Sequence, residues 1–424
     1  MVFRSLLDLY RLRRNQWLKL SELEKIQLRK LRRIIKHAYE NVPYYRKLFD
    51  LAGIRPEDIK TARDLTKIPI TTRLQLQQLP PEEIVAKGVD LNNCKKITTA
   101  GSSGIPLVVF LSDKDSNFYD MVWARASLAN GKRLWDSTAY LKFHFPPKFC
   151  FERLGIWKKE IISVLDNPEK QIETLRRVRP DVIRGNAFGL VNLAKIIKQK
   201  GVGGMNPRLV FSMGSVLDHQ SRELIESAFG AEVFDFYGTT EVGCIAWECS
   251  EKRGFHINID TVVVELIKKA RVAGPGEMGK IICTGLHSFT MPFIRYDTGD
   301  VGIANHEKCP CGRELPLLES IKGRADDFFI SANGTLYSPS VIVNQIKLIS
   351  GISQFRIIQR SLKDITAQVV PGKDFSQHTS KKIKETIGNI MGKDPSIEVE
   401  VLGVIPLDPS GKIRSLISKV KKEF

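Results

Sequence analysis

The chain has 424 residues and 42% apolar content, enough for two or three domains with buried cores, and no apolar run of eighteen or more, which excludes a spanning helix. Its formal net charge of +18 suggests nucleic acid until it is located: residues 1–40 hold eleven Lys/Arg against four Asp/Glu and residues 411–424 five against one, so +11 sits at the two ends. Seven cysteines, an odd number, do not read as a disulfide framework, and early charges at Arg4, Asp8 and Arg11 argue against a signal peptide, so a cytoplasmic location is expected.

In chain order, Phe3, Leu6, Leu7 and Tyr10 recur at helical spacing, and Leu23, Ile26, Leu31, Ile34 and Ile35 continue a basic amphipathic pattern to about residue 40. These segments are expected to be helices lying on the main body, although their basic surface is equally a solvated face. Asn41-Val42-Pro43 and Pro80-Pro81 punctuate a connecting region. From about 105 to 240, strand-like runs (Pro106 to Leu111, Asp181 to Arg184, Arg208 to Phe211, Glu232 to Phe234) alternate with helical ones (Asp115 to Asn130, Glu169 to Arg177, Leu190 to Lys200, Asp218 to Phe229). That alternation predicts an α/β domain with a largely parallel sheet. Strand patterns dominate 257–304, so an antiparallel β portion is expected there, with a tight turn at Gly274-Pro275-Gly276. After Lys322-Gly323-Arg324 a short-strand and helix pattern restarts, predicting a small C-terminal α+β domain.

Five short segments carry chemistry. Thr98-Thr99-Ala100-Gly101-Ser102-Ser103-Gly104-Ile105-Pro106 is a small, hydroxyl-rich loop whose backbone can approach a polyphosphate. By itself it is equally a structural turn, and it lacks the Gly-Lys-Ser/Thr ending of a Walker loop. Asp235-Phe236-Tyr237-Gly238-Thr239-Thr240-Glu241 follows a strand and offers a hydroxyl and a carboxylate for phosphate and Mg²⁺. The others are Arg295-Tyr296-Asp297-Thr298-Gly299-Asp300, Gly323-Arg324-Ala325-Asp326-Asp327, and Leu407-Asp408-Pro409-Ser410-Gly411-Lys412-Ile413-Arg414. Cys249, His256, Cys309 and Cys311 have the composition of a structural zinc site, but Cys-x-Cys is tighter than the usual knuckle and the spacing alone leaves the question open. Cys94, Cys150, Cys244 and Cys283 read as small buried apolar residues.

In this order the five segments resemble the superfamily of adenylate-forming enzymes, which includes acyl- and aryl-CoA synthetases, luciferases and peptide-synthetase adenylation domains. The likeness runs from about residue 95 to the end. Within it the chain is most similar to phenylacetate-coenzyme A ligases and their CapK-like relatives of capsular polysaccharide biosynthesis. The residues that carry this are Trp247-Glu248-Cys249, Gly254-Phe255-His256-Ile257, Asp260, Cys309-Pro310-Cys311-Gly312-Arg313 and the paired aspartates after Arg324.

The resemblance implies that ATP activates a carboxylic acid as an acyl-adenylate and that coenzyme A then takes the acyl group. Ser102, Ser103 and Gly104 would clasp the β- and γ-phosphates; Gly214, Ser215 and Asp235 would line the adenine pocket, with Tyr237 near the base. Thr240 would contact the α-phosphate, Glu241 would help hold Mg²⁺, and Asp300 and Arg324 would bind the ribose hydroxyls. Lys412 is expected to be the main catalytic group, stabilising charge that builds at phosphorus. The implied domains are 1–322, including the basic helical segment 1–40, and a mobile 323–424, hinged near Asp326. Close relatives share the Cys/His cluster, which makes Zn²⁺ a structural staple at Cys249, His256, Cys309 and Cys311.

Two departures bear on the acid. Ile105 stands where most relatives carry a lysine, and His144-Phe145-Pro146-Pro147-Lys148-Phe149 does not reproduce the glycine-rich stretch of phenylacetate ligases. Phenylacetate is therefore not the expected substrate, and Phe143, Phe145, Phe236 and Trp247 are candidates for the acid pocket, or else core. Alternative readings are transfer to an amine or hydroxyl in surface polysaccharide synthesis, and a non-catalytic, zinc-stapled RNA- or membrane-binding protein. No nucleic acid is expected; a peripheral membrane contact through the basic N-terminus and a homodimer are left open.

Overall fold

A computed structural model describes residues 2–98, 107–142, 157–164, 166–305, 307–392, 395–406 and 414–420. The chain opens with α1 (Val2–Asn15), α2 (Leu20–Asn41) and α3 (Pro43–Leu51). Pro43 is the first residue of α3, where its missing N–H costs no helical bond. Helix α2 buries Leu23, Leu31, Ile34, Ile35 and Ala38, and Gln27 Nε2 donates to the carbonyls of Ile259 and Val262, both at 3.1 Å.

Helix α1 departs from expectation. Phe3 (80% exposed), Leu6, Leu7 and Tyr10 (65%) face solvent, while Leu9 and Leu12 pack inward. Polar anchors decide the orientation: Asn15 Nδ2 donates to Asp260 Oδ2 at 3.0 Å, and the Leu12 carbonyl accepts from Arg125 Nη1 at 3.3 Å. Arg125 and Asp260 form a fully buried ion pair at 2.9 Å, completed by Arg125 Nη2 donating to Asn258 Oδ1 at 2.6 Å.

After α4 (Arg73–Gln77) and α5 (Pro81–Ile84), β1 (Lys95–Thr98) and β2 (Val108–Leu111) pair antiparallel as a separate two-stranded sheet. The strand expected over Pro106 to Leu111 therefore stands outside the parallel sheet. The α/β region follows as α6 (Asp113–Ala129), β3 (Thr138–Lys142), β4 (Lys159–Ser163), α7 (Pro168–Val178), β5 (Val182–Asn186), α8 (Ala187–Lys200), β6 (Leu209–Met213), α9 (His219–Phe229) and β7 (Glu232–Thr239). Strands β4, β3, β5, β6 and β7 lie side by side and parallel.

The antiparallel portion continues the same sheet through β8 (Gly243–Glu248), β9 (Phe255–Ile257), β10 (Val262–Lys268), β11 (Arg271–Val272), β12 (Met278–Gly285), β13 (Tyr296–Asn305) and β14 (Leu317–Arg324). The order is β11-β10-β12-β13-β14-β9-β8-β7-β6-β5-β3-β4. Because side chains alternate along a strand, Ile183, Val210 and Val233 meet α7, α8 and α9, while Phe211, Phe234 and Phe236 face the opposite layer with α6. Strand β5 runs straight into α8: the Asn186 side chain ends the strand and caps the helix by accepting from Gly189 N–H at 2.7 Å.

The remaining elements are β15 (Phe329–Ile330), β16 (Leu336–Tyr337), α10 (Pro339–Lys347), β17 (Ile352–Ser361), β18 (Asp364–Pro371), α11 (Gln377–Met391), β19 (Ser396–Val401) and β20 (Leu416–Ser418). A four-stranded sheet, β19-β18-β17-β20, packs with both helices around Ile346, Ile357, Ile365, Val369, Ile383 and Ile387. Among the described residues no helix is long and apolar enough to cross a membrane.

Candidate active site

The second motif lies within β7 rather than after it: Asp235, Phe236, Tyr237, Gly238 and Thr239 are its last five residues. Asp235 sits opposite Ser212 in the β6–β7 register. Ser215 Oγ is buried without a hydrogen-bond partner, and Ser212 Oγ lies buried against the Asp235 carboxyl. An unmatched buried polar atom typically costs about 1–3 kcal/mol, and Ser215 beside the Ser212–Asp235 pair offers polar groups that suit the hydrogen-bonding rim of a purine. Gly214, between two of them, takes φ +71°, a left-handed conformation that favours glycine. Burial, then the neighbouring Glu248 carboxylate, pushes the Asp235 carboxyl well above the usual range. Glu248 accepts Asp235 N–H at 2.8 Å and a two-pronged contact from Arg222 at 2.8 and 2.7 Å.

Tyr237, Asp300 and Arg324 meet. The Tyr237 hydroxyl donates to Asp300 Oδ2 at 2.9 Å, and Arg324 Nε lies 3.9 Å from Asp300 Oδ1. Arg324 faces Asp300 across β13–β14 and donates from Nη1 to the Thr298 carbonyl at 3.2 Å. Gly299 is required between them, since its φ is +75° and a Cβ there would come within 2.7 Å of Arg324 Nη2. Burial raises the Asp300 carboxyl to about 6 against the opposing pull of Arg324.

The turn beyond β7 is held from several sides. Glu241 Oε1 accepts from the Tyr296 hydroxyl at 2.7 Å, its carbonyl from the Tyr119 hydroxyl at 2.9 Å, and Thr239 Oγ1 from Val242 N–H at 3.2 Å. Thr240 is half-buried beside Glu241, whose anchored carboxylate has the hard oxygen chemistry that suits Mg²⁺. Tyr296 was visible in a quoted motif without a role, and Tyr119 carried no sequence signal. Gly238 has no room for a side chain: a Cβ would lie 2.3 Å from the Gly243 carbonyl and 2.9 Å from the Trp123 ring.

Ser102, Ser103, Gly104, Ile105, Phe143, Phe145, Cys150 and Lys412 lie outside the described residues. Both ends of the Lys412 segment are in view. Arg356 donates from Nη2 to the Pro406 carbonyl at 2.7 Å and from Nε to the Arg414 carbonyl at 3.2 Å. Arg414 in turn pairs with Asp327, next to the exposed Asp326 in a short 3-10 turn at Ala325–Asp327.

Cys249, His256, Cys309 and Cys311 converge, with all four ligand atoms within 4.8 Å of one another. Cys249 Sγ is 3.5 Å from Cys309 Sγ, and Cys311 Sγ is 3.3 Å from His256 Nε2. A tetrahedral ion with metal–sulfur bonds of about 2.3 Å separates its ligands by about 3.5–3.8 Å, so the donor set fits zinc. The Leu315 carbonyl lies 3.4 Å from His256 Nδ1, a contact that fixes which nitrogen faces the cluster. Burial brings His256 down to about 4, leaving the neutral ring a metal needs. Arg313 stacks 4.5 Å from the Trp17 ring and 5.3 Å from Trp247, and donates to Gln16 Oε1 at 3.1 Å. Trp247 is fully buried and gives its indole N–H to Asn258 Oδ1 at 2.9 Å, so it is core rather than acid-pocket lining. Cys244 and Cys283 are buried as expected, and Cys94 is partly exposed.

Comparison with known proteins follows the same lines. The CapK C-terminal domain family matches residues 329–419. A phenylacetate-coenzyme A ligase of Pseudomonas putida is 30% identical over 359 residues, covering 78% of this chain and 77% of that protein. The enzyme of the same name from Escherichia coli K12 is 27% identical over 416 residues, covering 91% and 92%. The structure of a 2-hydroxyisobutyryl-CoA ligase in the postadenylation state, in complex with 2-HIB-AMP, superimposes with a TM-score of 0.79 at 20% identity, covering 96% of this chain and 91% of that one. That likeness shows a shared fold over nearly the whole chain. The chain thus belongs to the phenylacetate-coenzyme A ligase family.

Proposed function

We propose that the chain activates a carboxylic acid with ATP and transfers the acyl group to coenzyme A. In the first step a carboxylate oxygen attacks the α-phosphorus, and pyrophosphate leaves as the acyl-adenylate forms. In the second, the coenzyme A sulfur attacks the acyl carbon, the thiol proton is lost and AMP leaves. The observation that carries this is the convergence of Tyr237, Asp300, Arg324 and the Thr240-Glu241 turn beside the buried polar groups of Ser212, Ser215 and Asp235. In this reading Asp235, Gly214 and Ser215 line the adenine site and Asp300 with Arg324 takes the ribose hydroxyls. Ser102, Ser103 and Gly104 clasp the outer phosphates, and Thr240 meets the α-phosphate. Glu241 would hold Mg²⁺, whose charge neutralises the phosphates.

Lys412 supplies the ammonium for charge emerging in the transition state, carried by residues 323–424 as a unit that turns at Asp326. Coenzyme A is favoured over an amine or hydroxyl acceptor because the relatives are named coenzyme A ligases. Zinc at the Cys/His cluster would staple loops, since a closed four-ligand site leaves no position for substrate. The test is ATP–pyrophosphate exchange over aryl, short-chain and sugar acids. Lys412→Ala should lower exchange by on the order of 10²–10³ while retaining AMP binding; exchange at the parental rate removes Lys412 from catalysis.

A further inference from the structure

Arg184 occupies the middle of β5, with parallel neighbours on both sides, where a continuous apolar run is the rule. It is 8% exposed, and its direct neighbours in register are Tyr140 on β3 and Phe211 on β6. The guanidinium carbon lies 4.8 Å from the Trp123 ring and 5.6 Å from the rings of Tyr140 and Phe236. Its Nε is buried without a hydrogen-bond partner, and no carboxylate pairs with the group among the described residues. Ring faces attract a cation but accept none of its in-plane N–H bonds. A guanidinium covered on its faces keeps its edge for a planar acceptor, and a carboxylate meets that edge with two parallel bonds.

The cage also has a place in the site. The Trp123 indole that stacks on Arg184 is the same ring that closes against Gly238, directly between Tyr237 and the Thr239-Thr240-Glu241 turn. One indole therefore lies between Arg184 and the turn assigned to the α-phosphate. Lys142, two residues beyond Tyr140, adds positive charge nearby, with its Nζ 5.5 Å from the Tyr140 ring. Asp120 on α6 faces the same group of cations without an ion-pair contact to Arg184, and burial raises its carboxyl above the usual range.

Resting on the acyl-adenylate reading above, we propose that Arg184 determines acid specificity and that the substrate carries a second carboxylate, which the caged guanidinium binds. The test compares pyrophosphate exchange for glutarate, adipate and isophthalate with that for valerate, hexanoate and benzoate. The expected result is a kcat/KM at least on the order of 10²-fold higher for the dianions, within the roughly 10⁴–10⁵ that a site built to hydrogen-bond a substrate group can reach. Arg184→Met should invert the preference mainly through KM and melt above the parent, since it removes an unpaired buried charge; a packing arginine would melt lower. Arg184→Lys should keep part of the dianion preference. Dianions no better than monoanions in the parent, or a ratio unchanged in Arg184→Met, overturns the proposal and leaves adenylation standing. Exchange with no acid of either kind overturns both. The parental ratio decides the matter even where a variant is too unstable to assay.

Discussion

Asp300 sits at a crossing of two pH effects. Burial raises its carboxyl to about 6, and in the proposed role the ionised form is the better acceptor for the ribose hydroxyls. AMP affinity should therefore fall as pH drops through about 6 and level off above it, which calorimetry between about pH 5 and 8 would measure. Asp300→Asn should bind weakly with a flat profile; a parental profile without a break near 6 would detach Asp300 from the nucleotide. Stability runs the other way. A carboxyl raised above its unfolded value of 3.8 favours the fold at acid pH, and that contribution is lost as pH rises through about 6. The residues behind this prediction were legible because they fall in ordered motifs. Arg184 was not, although a signal existed: a lone charge breaking the apolar run after Asp181-Val182-Ile183 contradicts a central parallel strand.

Among elements, the Cys/His cluster reaches beyond its own loops. Arg313 follows Cys311 closely and is caught between Trp17 and Trp247, so the cluster is joined to the connection between α1 and α2. We expect about one equivalent of zinc by elemental analysis, and chelation to lower the melting midpoint by about 5 °C or more while making α1 more open to proteolysis. A melting curve and cleavage pattern indifferent to chelator would remove the metal from the structural account. Helices α7, α8 and α9 were readable from their helical runs, while the caps Asn167 and Asn186, each accepting the N–H three residues on, set starts earlier than the runs suggested. Strands β3 and β4 were not, because five mixed residues each give too short a pattern to separate from a loop. The outward face of α1 was misjudged for another reason: it carries two apolar stripes, and tertiary hydrogen bonds through Asn15 and Leu12, invisible in sequence, choose between them.

At the scale of the whole molecule, the segment 407–413 is framed by one side chain. Arg356 holds the Pro406 and Arg414 carbonyls on either side of it, and the Asp327–Arg414 pair ties its exit to the turn where rotation is proposed. Arg356→Ala should slow adenylation by on the order of 10–100-fold through misplacement of Lys412, with AMP affinity unchanged. A matching loss of affinity would mean that the C-terminal unit is failing more broadly. The mixed architecture was legible from the alternation of patterns. That the parallel and antiparallel portions form one continuous sheet was not, since joining β7 to β8 depends on pairing rather than on either strand's own residues. The direct passage of β5 into α8 has one more consequence. With Asn186 finishing the strand and starting the helix, Arg184 belongs to the framework and would stay put during the proposed rotation at Asp326. Together with Thr240 it would act as a fixed ruler, sorting acids by length during adenylation, before any thiol arrives.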